Sequence, residues 1–365
     1  MRLTAIVIAT SLACTSAAQV AITDFLSTGP SAGFERAEAT RPFVFPADHA
    51  AHPRFRSEWW YFSGNLQADD KRHFGFQLTL FRFALAPEPP KRDSAWATNQ
   101  AWMAHFTITD SAGRRFHAAE RLARGALGLA GAEAAPFRVW LGDWRAASSG
   151  DAFFPLRLAA RDGEFAIDLM LTATKPLVPQ GEDGLDRKGP EPGNASYYYS
   201  YTRLAATGRM QTGGSSIEVS GSAWIDREWS TSALGRDLAG WDWIALQFSD
   251  GSEMMLYRLR RRDGGASRFS KAALIQPDGT RIAIAARDFE LLPQRWWTSP
   301  KTGTQYPVAW SLRVPSLALE LDIEPTIDDQ ELDLSVRYWE GAITASGHVG
   351  QQPLEAQGYL ELAGY

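Results

Sequence analysis

Hydrophobic and polar residues alternate along most of the chain with a period of two, which is the pattern of half-buried β-strands. In the first half, the clearest alternation is found at residues 74–80, 102–108 and 165–171. Short polar turn sequences separate the predicted strands, at residues 68–71, 110–113 and 161–163. No long helical periodicity competes with this pattern, although residues 116–131 are compatible with one short helix.

The second half of the chain repeats the alternation. Two hairpins are predicted, each closed by an Asp-Gly turn, at residues 241–248 with 253–261 and at residues 272–276 with 280–286. Three further strands are predicted near the end of the chain, at residues 332–339, 342–349 and 354–362. Many short strands at this spacing are typical of antiparallel sandwiches and barrels, so the sequence predicts an all-β fold.

Two β units fit a length of 365 residues. We place their boundary at residues 230–236, where a Ser-rich segment separates two aromatic blocks. The predicted organisation is a Pro-rich lead-in over residues 19–53, a first unit over 54–230 and a second over 231–365. One segment, residues 175–196, is rich in Pro and Gly and lacks a strand pattern, so it is either a solvated connection or a lid over a cavity mouth.

Residues 1–18 have the features of an export signal. A positively charged start precedes an apolar run over residues 3–13, and small residues follow at 16–18. The run is too short to span a membrane, and no later stretch reaches about 18 uninterrupted apolar residues. We therefore predict an exported, periplasmic protein without a transmembrane segment. Cys14, the only cysteine, is either removed with the signal or lipidated as the first residue of an anchored protein.

Charge and composition exclude several classes of function. The chain has 37 Lys and Arg against 42 Asp and Glu, and this net charge of −5 argues against nucleic acid as the main partner. Outside the Pro-rich lead-in, the histidines form no closely spaced pair suited to a metal ion, so no metal site is predicted. Neither a Gly-x-Ser-x-Gly elbow nor a Gly-rich phosphate loop is present. The 14 Trp, 10 Tyr and 19 Phe residues suit an apolar ligand cavity.

Carboxylates set among aromatic residues are the most specific chemical feature of the sequence. They occur at residues 58–62 (EWWYF), 197–201 (YYYSY) with 224–229 (WIDREW), and 241–243 (WDW). Aromatic neighbours desolvate an acid and raise its pKa, so that it can donate a proton near neutral pH. The negative faces of the rings also stabilise a developing cation.

Strand alternation assigns these residues to faces. Trp224, Asp226 and Glu228 share one face of their strand, and Tyr197 and Tyr199 share a face of theirs. Residue types alone leave two interpretations open. The acids form an aromatic-lined site, or they belong to an ion-pair ladder on a solvated face while the aromatic residues fill a core.

Several blocks of the sequence resemble a known family. They are residues 58–61 (EWWY), 75–82 (GFQLTLFR), 193–200 (GNASYYYS), 221–229 (GSAWIDREW), 240–243 (GWDW), 338–341 (YWEG) and 358–362 (GYLEL). Together they resemble the AttH-like branch of the carotenoid 1,2-hydratase (hydroxyneurosporene synthase) family of lipocalin-like proteins, over residues 54–365. The resemblance implies two lipocalin-like antiparallel β-barrel domains, in agreement with the two β units predicted above.

For the hydratase branch, the resemblance implies acid-catalysed addition of water to an isolated isoprenoid double bond, without a metal or an organic cofactor. Asp226 falls at the proton donor of that reaction, and we name Glu228 as the reserve acid. The aromatic residues that surround the substrate in the hydratases fall at Tyr197, Tyr199 and Trp224. The other candidate ligand contacts are Glu58, Trp60, Trp241, Trp243 and His105, the last being either part of a cavity wall or a structural histidine.

Two functions are consistent with these features. The first is an exported lipocalin-like protein that binds an apolar isoprenoid or lipid, with a hydratase-like activity centred on Asp226. The second is a non-catalytic lipid carrier or accessory protein of an ABC transport system, because many exported members of the AttH-like branch are encoded with ABC-transporter components. Fungal relatives of the same fold act as pericyclic cyclases, so the fold does not determine the reaction.

Overall fold

The computed structural model describes residues 20–21, 31–232, 234–235 and 237–365. Within them the protein is almost entirely β-structure, with two curled antiparallel sheets that form a barrel and a half-barrel. The predicted all-β antiparallel fold is confirmed. The predicted export signal and Cys14 lie outside the described residues.

The first sheet has thirteen strands and follows a two-residue strand, β1 (Val20–Ala21), that belongs to the second sheet. The order across the first sheet is β5-β4-β3-β2-β14-β13-β10-β9-β8-β7-β6, and β11 and β12 pair with β13. The strands are β2 (Ser57–Ala68), β3 (His73–Ala84), β4 (Gln100–Asp110), β5 (Arg115–Arg124), β6 (Ala130–Ala134), β7 (Phe137–Leu141), β8 (Trp144–Ser148), β9 (Leu156–Asp162), β10 (Phe165–Ala173), β11 (Val178–Pro179), β12 (Leu185–Arg187), β13 (Ala195–Thr212) and β14 (Ser215–Ser230).

The second sheet has eleven strands, and all of them except β1 follow the end of β14 at Ser230, beginning with β15 at Leu238. Its order is β18-β17-β16-β15-β24-β23-β21-β20-β19, and β22 and the parallel strand β1 pair with β23. The strands are β15 (Leu238–Phe248), β16 (Glu253–Arg261), β17 (Lys271–Ile275), β18 (Arg281–Ala285), β19 (Glu290–Thr298), β20 (Gln305–Val314), β21 (Leu319–Pro325), β22 (Glu331–Asp333), β23 (Val336–Val349) and β24 (Gln352–Ala363). The helical segments of the described residues are three 3-10 turns, Ala47–His49, Ala286–Asp288 and Pro315–Leu317.

Each sheet packs its concave face around its own apolar core. In β3 the alternate residues Phe74, Phe76, Leu78 and Leu80 are fully buried inside the first sheet, as their period of two predicts. A second core, which includes the fully buried Trp310, fills the concavity of the other sheet. The concave face of each sheet is therefore filled by its own core. The two sheets meet through their convex faces, where buried residues of both form a shared cluster.

The two sheets pack closely against each other. A Cβ atom placed on Gly75 would lie only 2.6 Å from the Cβ of Ala342 in the second sheet, so a larger residue would push the sheets apart. Polar contacts also join the two sheets: Thr109 Oγ1 donates to Gln330 Oε1 at 2.7 Å, and Lys175 Nζ lies 2.8 Å from Glu253 Oε2. Strands β2 and β3, the first half of β13 and the second half of β14 are thus buried on both faces and lie at this junction.

Three local predictions need correction. Residues 116–131 form no helix, because β5 pairs with β4 along its whole length and β6 follows it. The strand predicted at residues 332–339 is divided between β22 and β23. Strand β23 continues through Gly341 into the next predicted strand without a turn, since Glu340 and Gly341 both pair with β24. Residues 175–196 contain the short strands β11 and β12, which pair with β13.

Candidate functional site

A cavity lies between the facing convex surfaces of the two sheets. The space between its lining side chains is about 840 Å³, including the open solvent at its mouth, and its interior free volume is about 90 Å³. Eight of its sixteen lining residues are aromatic, four carry carboxyl groups and one is a lysine. The cavity is therefore a narrow cleft with apolar walls and a concentration of acidic groups.

Strand register brings the first sheet's acids into the cavity. Asp226 of β14 is paired directly with Ser200 of β13 and with Tyr61 of β2. Two residues further along β14, Glu228 is paired with Tyr198 and with Trp59 of the same two neighbours. Directly opposed residues of antiparallel strands share a face, so both acids and their aromatic neighbours point towards the second sheet.

The second sheet presents a matching row of side chains. Trp243 of β15 is paired with Tyr257 on one side and with Glu361 of β24 on the other. Glu361 is in turn paired with Glu340 of β23. All four residues line the cavity, so its two walls each contribute two carboxyl groups set among aromatic rings.

The carboxyl group of Asp226 is buried and well hydrogen bonded. Its Oδ1 accepts hydrogen bonds from Ser200 Oγ at 2.5 Å and from Trp224 Nε1 at 2.7 Å, and its Oδ2 accepts one from the Tyr198 hydroxyl at 2.8 Å. Burial raises the pKa of Asp226 to about 7, and the lowering effect of the three donors only partly offsets it. Asp226 is thus a carboxyl group that exchanges its proton near neutral pH.

Glu228 has a different environment because it forms an ion pair with Lys188. Burial raises the pKa of Glu228, although the charge of Lys188 opposes the rise. Burial also disfavours the charged form of Lys188, yet the carboxylates of Glu228 and Asp186 outweigh it and raise the pKa of the lysine. Lys188 is therefore a permanent cation in the cavity. It belongs to the segment 175–196, whose folded strands place it at the cavity wall.

Glu340 and Glu361 form the acidic pair of the opposite wall. Burial raises the pKa of Glu361 to about 7, and the nearby charges of Glu228 and Asp226 contribute to the rise. Burial and the charge of Glu361 raise the pKa of Glu340 well above its ordinary value. Trp241 Nε1 donates a hydrogen bond to Glu361 Oε1 at 3.0 Å. At least one carboxyl group of this pair is thus protonated near neutral pH.

Comparison with known proteins identifies the family. The sequence profile of the AttH-like family matches residues 36–365. This protein belongs to the AttH-like family. The resemblance inferred from the sequence blocks is thereby confirmed.

Solved structures and a characterised enzyme are similar to this AttH-like protein. An AttH-type structure from Nitrosomonas europaea is 35% identical, with a TM-score of 0.81, and the alignment covers 91% of this chain and all of the other. Kievitone hydratase from Nectria haematococca shares the fold at 16% identity, with a TM-score of 0.66 over 91% of this chain and 98% of the other. In sequence, kievitone hydratase from Fusarium solani subsp. phaseoli is 23% identical over 213 residues, which are 56% of this chain and 59% of that enzyme.

The structure of the AttH-like protein places Tyr197 and Tyr199 away from Asp226. Both lie on the opposite face of β13, where they pack with Trp229, and the Tyr199 hydroxyl is 2.7 Å from His49 Nδ1. Tyr198, paired with Glu228, occupies the cavity face instead. Tyr197 and Tyr199, which the resemblance groups with Asp226 around a substrate, therefore do not line the cavity. The register between β13 and β14 pairs Tyr198 with Glu228 and Ser200 with Asp226, so the tyrosines at 197 and 199 point to the other face.

The same shift by one residue applies to β2. Trp59 and Tyr61 line the cavity, whereas Trp60 lies on the other face of β2. There the guanidinium carbon of Arg227 lies 3.9 Å from the centroid of the Trp60 ring. Glu58 shares the face of Trp60 and is fully buried between Arg82 and Arg227, with which it forms ion pairs. Glu58 and Trp60 are therefore part of a structural ion-pair cluster and not of the cavity wall.

Among the other predicted residues, Trp241 and Trp243 line the cavity. Trp224 lies on the Asp226 face and acts on the site through its hydrogen bond to that carboxyl group. His105 lies on the cavity face of β4 as the strand partner of the lining residue Thr79, but it is fully buried and does not line the cavity itself. Its Nδ1 is 2.7 Å from the hydroxyl of the lining residue Tyr338. This placement matches the structural alternative for His105.

Sequence reasoning missed Lys188, Tyr198, Glu340 and Glu361. The only signal for the two glutamates was their presence in the family-like blocks YWEG and GYLEL. Within the described part of the chain, no group of three or more His, Cys, Asp or Glu side chains is arranged to hold a metal ion. No helix of that part is long and apolar enough to cross a membrane.

Proposed function

We propose that this AttH-like protein binds an apolar isoprenoid or lipid in the cavity between its sheets and adds water to a carbon–carbon double bond of that ligand. The observation that carries the proposal is the buried carboxyl group of Asp226, which has a pKa of about 7 and lies in an aromatic cavity. Such a group is protonated in a large fraction of molecules at neutral pH and is suited to donate that proton. The sequence relationship to kievitone hydratase supports a hydration reaction.

The reaction would begin with proton transfer from Asp226. The π electrons of the alkene take the proton, one carbon gains a C–H bond, and the neighbouring carbon becomes a carbocation. The faces of the lining aromatic rings, among them Trp59 and Trp243, would stabilise this cation. A water molecule then forms the C–O bond and loses a proton, Asp226 is reprotonated, and the net change is the addition of one water.

Glu228 is less suited to the role of proton donor. Its ion pair with Lys188 favours the charged form, whereas Asp226 accepts its hydrogen bonds from the neutral donors Ser200, Trp224 and Tyr198. We therefore assign the proton transfer to Asp226 and give Glu228 the role of holding Lys188 in place.

The test uses kievitone as the first probe and a set of prenylated phenols and acyclic carotenes as further probes, in water labelled with oxygen-18. Mass spectrometry would detect a product heavier by one labelled water. Asp226→Asn should reduce turnover by about 10²–10⁴-fold. Ligand binding should persist in this variant and is measured by the fluorescence of Trp59, Trp241 and Trp243. The control is Asp69→Asn, which changes an exposed turn and should leave turnover unaltered.

A non-catalytic carrier would use the same cavity without the proton donor. Ligands extracted from the wild type and from Asp226→Asn would then be the same unmodified lipid, and no labelled alcohol would form with any probe. That result would favour the carrier, including an accessory role in an ABC transport system. Failure to bind any isoprenoid or lipid would refute the apolar cavity itself.

We also propose that the protein is exported. The proposal is supported by the charged start, apolar run and small residues of positions 1–18. Mass spectrometry of the protein isolated from the cell envelope should find Gln19 as the first residue. An acylated Cys14 would show lipid anchoring instead, and an intact Met1 would refute export.

A further inference from the structure

The paired acids Glu340 and Glu361 lie opposite the proposed proton donor without a role in the reaction so far described. They are direct partners on the adjacent antiparallel strands β23 and β24. Side chains in this relation have Cβ atoms about 4.5–5.5 Å apart on one face of the sheet. Their carboxyl groups are therefore neighbours, and both line the cavity.

Two polar atoms at this end of the cavity lie close to each other without a well-aligned hydrogen bond to any described residue. They are Oε1 of Glu340 and the hydroxyl oxygen of Tyr61, both in nearly fully buried side chains, 1% and 5% exposed. The two side chains interact with each other: the carboxyl group of Glu340 raises the pKa of Tyr61, and the Tyr61 hydroxyl lowers the pKa of Glu340. A buried polar atom without a partner is costly, and such sites in proteins bind water or a polar group of a ligand.

Tyr61 also connects the pair to the other wall. It is the strand partner of Asp226 in the first sheet, while Glu340 belongs to the second. The charge of Asp226 reaches Glu361 across the cavity, since it contributes to the raised pKa of that glutamate. A ligand in the cleft would therefore have Asp226 on one side and the Glu340–Glu361 pair on the other.

We infer that Glu340 and Glu361, together with the Tyr61 hydroxyl, bind the water molecule that adds to the substrate, and that the pair accepts its proton. This inference rests on the proposed hydration. In the full reaction, the alkene π pair takes the proton of Asp226 and forms the C–H bond. The water oxygen forms the C–O bond to the carbocation, and the water proton passes to a carboxylate of the pair. Return of that proton to Asp226 through solvent restores the site.

The inference predicts that substrate protonation and water capture are separable. With kievitone in heavy water, the Glu340→Gln/Glu361→Gln variant should lose hydration by about 10²–10⁴-fold. It should still place deuterium on the alkene carbon, because Asp226 can donate a deuteron and take back a proton. Asp226→Asn should lose both reactions. Glu355→Gln, an exposed change on β24, should keep both.

The outcomes distinguish the two proposals. A wild type that neither hydrates kievitone nor exchanges deuterium would refute hydration of this probe and the water-binding role with it. If the wild-type protein and the double variant hydrate kievitone equally well, the water-binding role is refuted and the proposed hydration stands. Should the double variant fail to fold, the single variant Glu361→Gln takes its place, because it retains the buried carboxyl group of Glu340.

A crystal structure provides a measurement that does not depend on activity. An ordered water should lie within hydrogen-bond distance of Glu340 Oε1 and the Tyr61 hydroxyl, and it should be lost or displaced in Tyr61→Phe. A structure in which no ordered water contacts Glu340 Oε1 or the Tyr61 hydroxyl would overturn the inference.

Discussion

The raised pKa of Asp226 predicts a specific dependence of folding stability on pH. A carboxyl group with a higher pKa in the folded chain than in the unfolded chain binds its proton more tightly when folded. Its contribution to stability is therefore complete below pH 3.8, the ordinary value, and is lost as the pH rises to about 7. Asp226→Asn keeps a polar group of the same shape without a titrating proton, so it should remove this loss.

The size of the effect follows from the two pKa values. The difference between 3.8 and about 7 corresponds to about 4 kcal/mol, at about 1.4 kcal/mol for each pH unit. Asp226 is only 4% exposed, so solvent screening reduces this value little. The free energy of unfolding of Asp226→Asn, relative to the wild type, should therefore rise by about 4 kcal/mol between pH 4 and pH 8.

Urea unfolding at a series of pH values, followed by tryptophan fluorescence, measures this difference. Asp69→Asn, in an exposed turn, should show a difference from the wild type that does not vary with pH. A constant difference between Asp226→Asn and the wild type across this range would show that the folded and unfolded pKa values of Asp226 are similar. The assignment of Asp226 as a proton donor near neutral pH would then fail.

Three further predictions use the same unfolding assay. Glu58→Gln should destabilise the fold by about 3–5 kcal/mol, because it removes the buried negative charge that pairs with both Arg82 and Arg227. A destabilisation below about 1 kcal/mol, as for a surface ion pair, would contradict this. Lys188→Met should be more destabilising at pH 8 than at pH 5, because at the higher pH a charged Glu228 is left buried without its counter-charge. An equal decrease in the free energy of unfolding at both pH values would contradict that reason. Adding Glu228→Gln to Lys188→Met should recover stability at pH 8.

Alternation along a single strand was sufficient to predict the fold class and the common face of Asp226 and Glu228. It was not sufficient to predict which face of a neighbouring strand meets them. Tyr197, Tyr198 and Tyr199 are consecutive aromatic residues, so no polarity pattern distinguishes the cavity face from the other. That choice is made by the pairing of Tyr198 with Glu228, which a single sequence does not specify. The same reason accounts for Trp59 taking the place expected for Trp60.

The opposite wall of the cavity could not be predicted for a different reason. Glu340 and Glu361 approach Asp226 only because the second sheet packs on the convex face of the first, a contact between distant parts of the chain. Lys188 lies in a segment whose strands β11 and β12 are two and three residues long, too short to produce a visible alternation. Local patterns therefore predict one wall of the site, and tertiary packing supplies the other.

The position of the cavity between two sheets has a consequence for engineering the protein. Strands β2–β14 of the first sheet are joined to strands β15–β24 of the second by the segment that leaves Ser230 and reaches Leu238. Two fragments cut there would each carry half of the acids and half of the aromatic rings. A ligand that contacts both walls would bind only the reassembled fragments, so by mass action it would shift the equilibrium towards reassembly. Such a split protein would report its own ligand by complementation, so that crude extracts could be screened for the natural substrate whatever its chemical class.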